Sequence, residues 1–324
     1  MSDRRRVRTV AGGIRDATAR LYPAGHPLAP IVTYGPDMAD DLRSGEIGLV
    51  LSGGGARCFA HVGALQAIEE EGLRVSAIAA NSSAAIIAAL YASGHDARSV
   101  ANIVRGIDFE TFFDADGSTG LIGHDGVEAL LAEHAVDTFE QLTIPLAVPA
   151  VDIELAEMLV FTEGPLSPAI CASNAFPGLF TPVEHEGRFL LDGGILNNFP
   201  VDLIRSMTSR SILAIDVRPS PKRSLELDAE AADSFLGKIG RLFTKGVPVT
   251  IDILMQAYTI TQSRLVELTV AMHPPHVWLR PDLPQDFEVQ DFSRFDEGFE
   301  VGYRSVRTAV ERGEFAALTT GDAS

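Results

Sequence analysis

The chain has 324 residues, which allows one large α/β domain or two smaller ones, and its 46% hydrophobic content is enough for a substantial core. Its 26 basic and 44 acidic residues give a formal charge of -18, which argues against nucleic-acid partners and weakens long-range attraction to anionic lipid. Only two cysteines occur, so a disulfide framework is not expected and a reducing compartment is favoured.

Residues 1–45 match no pattern that we can assign. Four prolines predict a mostly irregular lead-in, with one short helix around 13–21. Its arginines are followed by charges and glycines, whereas a signal peptide needs a continuous apolar core. No later run approaches the ~18 consecutive apolar residues of a membrane-spanning helix. We therefore expect a cytoplasmic protein whose contact with membranes is peripheral.

The stretch from Gly48 to Leu90 organises the rest of the chain. A serine on a tight strand-to-helix turn, here Ser82, is typical of a nucleophile elbow. A Gly-rich turn one βαβ unit earlier can supply N–H donors to the same oxyanion, because a right-handed crossover places the two turns side by side. The predicted elements are strand 47–51, turn 52–55, helix 59–71, strand 75–80 and helix 84–92.

The alternation of strands and helices continues to residue 217. It predicts an α/β fold with three layers, in which a mostly parallel central sheet carries helices on both faces. Asp192 ends a strand and precedes two glycines, so its carboxylate has room for a partner, and Phe176 lies in a loop that suits a pocket wall. The predicted elements are helices within 96–113 and at 125–134, 169–175, 201–207, 249–257 or further and 295–310, and strands 144–148, 158–161, 188–191, 212–217 and 276–280.

Three motifs together resemble the patatin-like phospholipase family, the Ser–Asp dyad acyl hydrolases, and in particular bacterial members near its neuropathy-target-esterase branch. The Gly-rich oxyanion motif of that family corresponds to Gly53-Gly54-Gly55-Ala56-Arg57-Cys58. Its G-x-S-x-G elbow corresponds to Ala80-Asn81-Ser82-Ser83-Ala84, and its D-G-[GA] motif to Asp192-Gly193-Gly194. The resemblance implies an acyl hydrolase domain at 46–312, between an unassigned lead-in at 1–45 and a C-terminal tail at 313–324.

The resemblance also implies a reaction. Ser82 would attack a carboxylic ester, of a (lyso)phospholipid or another lipid, and Asp192 would take its proton. The oxyanion would be framed by Gly53, Gly54, Gly55 and Arg57, and the elbow by Ala80, Asn81, Ser83 and Ala84. It implies no cofactor and no metal. The expected partner is a lipid or other acyl ester, and the oligomeric state is left open.

Three positions depart from the family pattern, since Cys58, Ala80 and Ala84 stand where it usually has glycine. If the backbone at Cys58 requires a positive φ, its Cβ costs on the order of 1–2 kcal/mol. The two alanines add methyl groups that a slightly opened elbow must absorb. These departures motivate a second hypothesis, a degenerate scaffold that binds a lipid or a protein without turning it over.

Other chemistries compete with the dyad. Ser83 is a rival nucleophile one residue out of register, and a Ser-His-Asp triad is a rival mechanism. The histidines available for a triad are His61, His124, His134, His185, His273 and His276, of which the last two follow Asp192 in the chain order of α/β-hydrolases. The Gly-rich turn also suits a nucleotide loop, but it lacks the closing Gly-Lys-Ser/Thr of a P-loop and the third glycine of a dinucleotide fingerprint.

Two side chains beside the Gly-rich turn have two interpretations each. Arg57 binds an anion, at the oxyanion or in a head group, or forms a surface salt bridge. Cys58 is an activated thiol at a helix start or a small buried residue, and the second interpretation is favoured.

An amphipathic segment lies at 234–245. Phe235, Leu236, Ile239, Leu242 and Phe243 share one helical face, and three basic residues lie between them. The segment either packs over the sheet or forms a flap that inserts into a lipid surface. Two internal glycines weaken it as an autonomous helix by about 1 kcal/mol each.

Overall fold

The computed structural model describes residues 45–113, 121–219 and 248–319. The predictions for the N-terminal lead-in and for the amphipathic segment at 234–245 lie outside these residues.

A mostly parallel sheet occupies the centre of this part of the chain. Its eight strands are β1 Glu46–Leu51, β2 Arg74–Ala80, β3 Leu146–Asp152, β4 Glu157–Phe161, β5 Val183–His185, β6 Arg188–Asp192, β7 Ser211–Ile215 and β8 Val277–Leu279. They run in the order β5-β6-β3-β2-β1-β7-β8, with β4 paired to β3. Neighbours from β3 through β2, β1 and β7 to β8 are parallel, whereas β4, β5 and β6 pair antiparallel.

Helices connect these strands and cover the sheet. Two short 3-10 helices, Gly55–Cys58 and Phe139–Gln141, accompany them. The α-helices are α1 Phe59–Glu70, α2 Ser83–Ala92, α3 Ala97–Arg105, α4 Phe109–Phe112, α5 Asp125–His134, α6 Leu166–Asn174, α7 Gly194–Asn197, α8 Val201–Met207, α9 Pro248–Met272, α10 Phe295–Glu311 and α11 Ala316–Thr319.

Strand β1 shows why the fold has three layers. Its successive side chains point to opposite faces of the sheet. Leu49 and Leu51 belong to a hydrophobic cluster with α1, α2 and α10, whereas Val50 belongs to a second cluster with α8 and α9. A strand covered on both faces reads as a continuous apolar run, which is how this one appears in the sequence. The predicted α/β architecture is therefore confirmed.

Several predicted boundaries shift for local reasons. The helix predicted at 169–175 begins at Leu166, because Pro168 lies in its first turn, where a missing N–H costs little. The strand predicted at 144–148 instead runs from 146 through Asp152. The helical region predicted at 96–113 divides after Gly106 into α3 and α4. No helix in the described residues is long and apolar enough to cross a membrane.

Candidate active site

The register of three strands brings Ser82 and Asp192 to the same level of the sheet. Ile78 of β2 is paired with Leu146 of β3, so the residue four places later in β3, Ala150, lies level with the residues that follow β2. Ala150 is in turn the partner of Asp192 in β6. Two residues 110 positions apart in the chain therefore meet just beyond the end of β2.

Ser82 occupies a backbone conformation that side chains rarely adopt, with φ 56 and ψ -138. The C-terminal end of α6 holds it there. The N–H of Ser82 donates to Ser173 Oγ at 3.0 Å, and Asn174 Nδ2 donates to the Ser82 carbonyl at 3.1 Å. Both main-chain polar groups of the strained residue are thus satisfied, and the Ser82 side chain lies beside the Asp192 carboxylate, where it lowers the pKa of that group.

The Asp192 carboxylate is 1% exposed and well supported. Its Oδ1 accepts hydrogen bonds from Asn81 Nδ2 at 2.9 Å and from the Gly194 N–H at 2.7 Å. Loss of hydration on burial raises the pKa of Asp192 above its usual value, and the hydrogen bonds from Ser82, Gly194 and Asn81 offset only part of that rise. The buried carboxylate is therefore a better proton acceptor than an exposed aspartate.

Asn81 fixes the orientation of the site. Its Nδ2 donates to Asn198 Oδ1 at 2.9 Å as well as to Asp192, and its Oδ1 accepts from Ser173 Oγ at 3.1 Å. Three of these supporting residues, Ser173, Asn174 and Asn198, were not predicted. Asn198 lies in the Asn-Asn-Phe-Pro stretch after Asp192, and Ser173-Asn174 precede the Phe176 loop, so position in the sequence offered a weak signal.

The Gly-rich turn approaches the elbow too closely for side chains. A Cβ on Gly53 would lie 2.4 Å from Asn198 Oδ1 and 2.9 Å from Ser82 Cβ. Gly55 has φ +59, and a Cβ there would lie 2.2 Å from the Val289 carbonyl oxygen. The N–H of Gly53 is donated to the Asn198 carbonyl at 3.2 Å. Those of Gly54, Gly55 and Ser83 make no hydrogen bond to a carbonyl oxygen in the described part of the chain.

The surroundings of Arg57 differ from both of its predicted interpretations, an anion site and a surface salt bridge. Its side chain is buried, Nε donates to the Val217 carbonyl at 2.6 Å, and a terminal nitrogen donates to the Phe287 carbonyl at the same distance. Burial lowers the pKa of the guanidinium. Because these bonds direct it at main-chain oxygens, its side chain frames no oxyanion and forms no surface salt bridge. Arg57 instead joins the segments after β7 and β8 to the Gly-rich turn.

The three departures from glycine sit in ordinary surroundings. Cys58 has φ -63 and ψ -13, so the strain expected for a positive φ does not arise. Its thiol is buried, and burial raises its pKa, which makes it a small core residue and not an activated thiol. Ala80 and Ala84 are fully buried, one at the end of β2 and the other in the first turn of α2.

The histidines belong to other parts of the fold. The Nε2–H of His61 donates to the Ser52 carbonyl at 2.8 Å, and burial lowers the pKa of His61 to about 4. His124 contacts the Thr181 carbonyl at 2.8 Å, and His276 Nδ1 accepts from the Ile212 N–H at 2.8 Å. No described histidine lines the cavity beside Ser82, so the rival triad lacks its central residue in this part of the chain.

Ser82 and Asp192 open into a cavity of about 180 Å³. Gly54, Gly55 and Ser83 also line it, which places the elbow, the carboxylate and the Gly-rich turn on one wall. The other walls are largely apolar, and the predicted pocket-lining position of Phe176 is confirmed. Seven phenylalanines line the cavity, Phe59, Phe109, Phe112, Phe113, Phe176, Phe180 and Phe292. The Ser82 hydroxyl and the Asp192 carboxylate therefore face an apolar chamber.

Comparison with known proteins identifies relatives of this chain. Residues 49–204 match a sequence model described as patatin-like phospholipase. A patatin-like phospholipase domain-containing protein of Caenorhabditis elegans is 30% identical over 305 residues, which cover 86% of this chain and 22% of that protein. The human patatin-like phospholipase domain-containing protein 6 is 28% identical over 283 residues, which cover 82% of this chain and 20% of that protein. An uncharacterized NTE family protein of Mycobacterium bovis is 32% identical over 203 residues, which cover 58% of this chain and 54% of that protein.

The chain thus spans about a fifth of the length of the animal relatives and about half of the mycobacterial one. Among solved structures, VipD from Legionella pneumophila superposes with a TM-score of 0.54 at 14% identity, covering 82% of this chain and 67% of that one. At this identity the similarity shows the fold alone.

Proposed function

Because the chain belongs to the patatin-like phospholipase family through residues 49–204, we propose that it is a serine acyl hydrolase that cleaves lipid carboxylic esters, (lyso)phospholipids among them, through a Ser82-Asp192 dyad. One observation carries the proposal most directly. The Ser82 hydroxyl lies beside a buried carboxylate of raised pKa on the wall of an apolar cavity.

The reaction follows from these contacts. Ser82 Oγ attacks the ester carbonyl carbon while its proton passes to Asp192, and the carbonyl oxygen becomes an oxyanion. The N–H groups of Gly54 and Gly55 donate to that oxyanion, a contribution worth about 10²–10³ in rate for one donor. Collapse breaks the bond to the alcohol oxygen, which takes the proton from Asp192. Water then attacks the carbonyl carbon of the acyl enzyme with Asp192 again as base. As the bond between that carbon and Ser82 Oγ breaks, the proton passes from Asp192 to Ser82 Oγ and the carboxylic acid leaves.

The apolar chamber supports a lipid substrate. Its phenylalanines offer no hydrogen-bond donors or acceptors, so they favour an acyl chain over a polar acid. Phe109 stacks on Phe292 with ring centroids 4.7 Å apart, and Phe113 lies equally close to Phe292. These rings form a continuous apolar surface within the cavity that Ser82 also lines.

The catalytic test uses nitrophenyl esters of short and medium acyl chains together with covalent labelling by a fluorophosphonate. We expect Ser82→Ala to abolish labelling, and Ser82→Ala and Asp192→Asn each to lower kcat at least about 10³-fold. Ser83→Ala is the matched control and should keep activity within about threefold, because Ser82, and not Ser83, lies beside the Asp192 carboxylate. Equal labelling of wild type and Ser82→Ala would remove Ser82 from its role.

We also propose that the protein works in the cytoplasm and contacts membranes peripherally through α9. The two free cysteines are buried, in keeping with a reducing compartment. One face of α9 lines the cavity through Met255, Tyr258 and Thr259. Its exposed face is largely apolar, with Ile253, Leu254, Ile260, Leu268 and Met272, and its Arg264 is paired with Glu267 at 2.7 Å.

A vesicle experiment tests this contact. Leu254→Ser combined with Leu268→Ser should reduce co-sedimentation with phosphatidylcholine vesicles while hydrolysis of a water-soluble ester stays within about twofold, since neither leucine lines the cavity. Thr261→Ser, on the same exposed face, is the control. Unchanged vesicle binding in the double variant would rule out this face.

A further inference from the structure

Tyr258 reaches the site from α9, a helix that no sequence motif connects to it. Its ring packs edge-on against Phe176, with centroids 5.1 Å apart. Its Oη lies 2.8 Å from the point where Gly194 would carry a Cβ, and Asp192 Oδ1 lies 2.9 Å from the same point. The phenol and the carboxylate are therefore neighbours across Gly194, and the absence of a side chain at Gly194 makes room for both.

A second contact holds α9 against this corner of the site. Gln262 is 3% exposed, and its Nε2 donates a hydrogen bond to the Gly194 carbonyl. Tyr258 and Gln262 are four residues apart and so lie on the same face of the helix. With Gln262 bonded to Gly194 and the Tyr258 ring packed on Phe176, the position of the phenol is fixed at two points.

The Tyr258 hydroxyl makes no hydrogen bond to any of the residues that the structure describes. Burial first, and the charge of Asp192 second, raise the pKa of Tyr258 well above its ordinary value, so the phenol keeps its proton. Asp192 Oδ1 already accepts from Asn81 Nδ2 and from the Gly194 N–H. Tyr258 also lines the cavity, where a bound molecule can reach its hydroxyl. A half-buried donor of this kind is stabilised when a bound molecule supplies an oxygen.

The chemistry of the proposed reaction says which oxygen that is. The proton taken from Ser82 by Asp192 must pass to the departing alcohol, so the alkoxy oxygen of the ester has to come close to Asp192. The carbonyl oxygen is meanwhile directed at the N–H groups of Gly54 and Gly55. Since Tyr258 Oη is the neighbour of Asp192, it lies on the side of the leaving group.

We propose that Tyr258 Oη donates a hydrogen bond to the alkoxy oxygen of the bound ester, which makes Tyr258 a catalytic residue of this site. The inference rests on the proposed Ser82-Asp192 function. As the carbon–oxygen bond breaks, its electron pair moves to the alkoxy oxygen and the proton on Asp192 transfers to it, while Tyr258 keeps its own proton. The phenol therefore matters most for esters of alkyl alcohols such as glycerol, whose alkoxide needs stabilisation, and least for activated aryl esters.

The test compares two leaving groups on one acyl chain. Tyr258→Phe removes the hydroxyl and keeps the ring that packs on Phe176. Kcat and KM are measured for monooctanoylglycerol and for p-nitrophenyl octanoate. We expect kcat/KM for the glycerol ester to fall about 10- to 100-fold, mainly through kcat, and that for the nitrophenyl ester to fall no more than about threefold.

Thr259→Val is the matched control. Thr259 lines the same cavity from the next position of α9, but its hydroxyl donates to the Met255 carbonyl at 2.9 Å. Its loss should leave the ratio of the two kcat/KM values unchanged. Unaltered melting temperature and fluorophosphonate labelling of Tyr258→Phe would show that fold and nucleophile are intact.

Two results would overturn the role of Tyr258 alone, namely an equal loss on both esters or an undiminished rate on the glycerol ester, each with an active wild type. A wild type that neither hydrolyses esters nor reacts with the fluorophosphonate would overturn the proposed function, and the inference with it.

Discussion

Two turns meet at the carboxyl edge of the sheet, and they differ in where a residue with a side chain has a positive φ. The turn after β2 places a residue with a side chain, Ser82, at φ 56, where glycine would be more comfortable. The turn after β1 places Cys58, at a position where the family has glycine, at φ -63, which any residue adopts. The strained backbone thus coincides with the proposed nucleophile, Ser82, whereas Cys58 replaces a family glycine where the backbone does not require one.

The comparison separates two reasons for a glycine in a motif. At Gly53 the reason is space, because Asn198 and Ser82 leave no room for a Cβ. At Gly55 both space and a positive φ apply. At Cys58 the φ argument does not apply, and the side chain is simply buried. Strain at Ser82 is in turn offset by the hydrogen bonds from Ser173 and Asn174.

Gly55→Ala should have the largest effect, because it violates both requirements. A Cβ at φ +59 would lie 2.2 Å from the Val289 carbonyl oxygen, so the turn must move and carry its N–H groups away from the oxyanion. We expect kcat to fall by at least about 10²-fold and the free energy of unfolding to fall by more than about 2 kcal/mol. Ester kinetics and urea unfolding measure the two effects.

Gly72→Ala is the control that isolates the conformational part. Gly72 has φ +73, but nothing lies within 4 Å of the Cβ it would carry. The Gly72→Ala substitution should lower the free energy of unfolding by only about 1 kcal/mol and leave activity unchanged. Equal effects in the two variants would mean that the close approach to Val289 is irrelevant to the site.

Asn81→Ala should have an intermediate effect, visible mainly as a pH dependence. In the proposed reaction Asp192 must be ionised to accept the Ser82 proton, so activity should fall as pH falls through the pKa of Asp192, which burial raises above its ordinary value. The Asn81 amide donates to the charged carboxylate at 2.9 Å and thereby holds that pKa down. Its removal should move the acidic limb of kcat/KM to higher pH and lower the plateau about tenfold.

Asn174→Ala separates this electrostatic effect from simple misplacement of the serine. Its Nδ2 donates to the Ser82 carbonyl and to the Ile170 carbonyl, and not to Asp192. For Asn174→Ala we expect a lower plateau of kcat/KM and an acidic limb at the same pH as in the wild type. A limb that shifts equally in both variants would contradict the assignment of the Asn81 effect to the carboxylate.

The part of the fold nearest the site was predictable because its signals are local. Strands buried on both faces give continuous apolar runs, and glycines mark their ends, so 47–51 and 75–80 were placed within a residue of β1 and β2. The strand β3 was predicted too short, since Pro149 and Asp152 resemble breakers. Asp152 is instead 1% exposed, with Oδ1 accepting from the N–H groups of Glu154 and Leu155 in the following turn.

The site was predictable only as far as its motifs extend. Ser82 and Asp192 lie in recognisable patterns, and the structure places them in contact. Ser173 and Tyr258 lie 91 and 66 residues from the groups they serve, and their side-chain contacts depend on packing that no local pattern encodes. Arg57 shows the same limit, because its charge suggested an anion, whereas its partners are the carbonyls of Val217 and Phe287.

Cys58→Gly should have the smallest effect on catalysis, although it restores the family residue. With φ -63 in the wild type, glycine relieves no strain there, and it removes a buried side chain and loosens the start of α1. We expect a loss of about 1–2 kcal/mol in the free energy of unfolding and activity within about threefold of wild type. Cys58→Ala, which keeps the Cβ, should lie between the two in stability. A large gain of ester hydrolysis in Cys58→Gly over a nearly silent wild type would contradict this expectation and support the hypothesis of a degenerate scaffold, because it would mean that the missing glycine, and not the strained serine, limits the site.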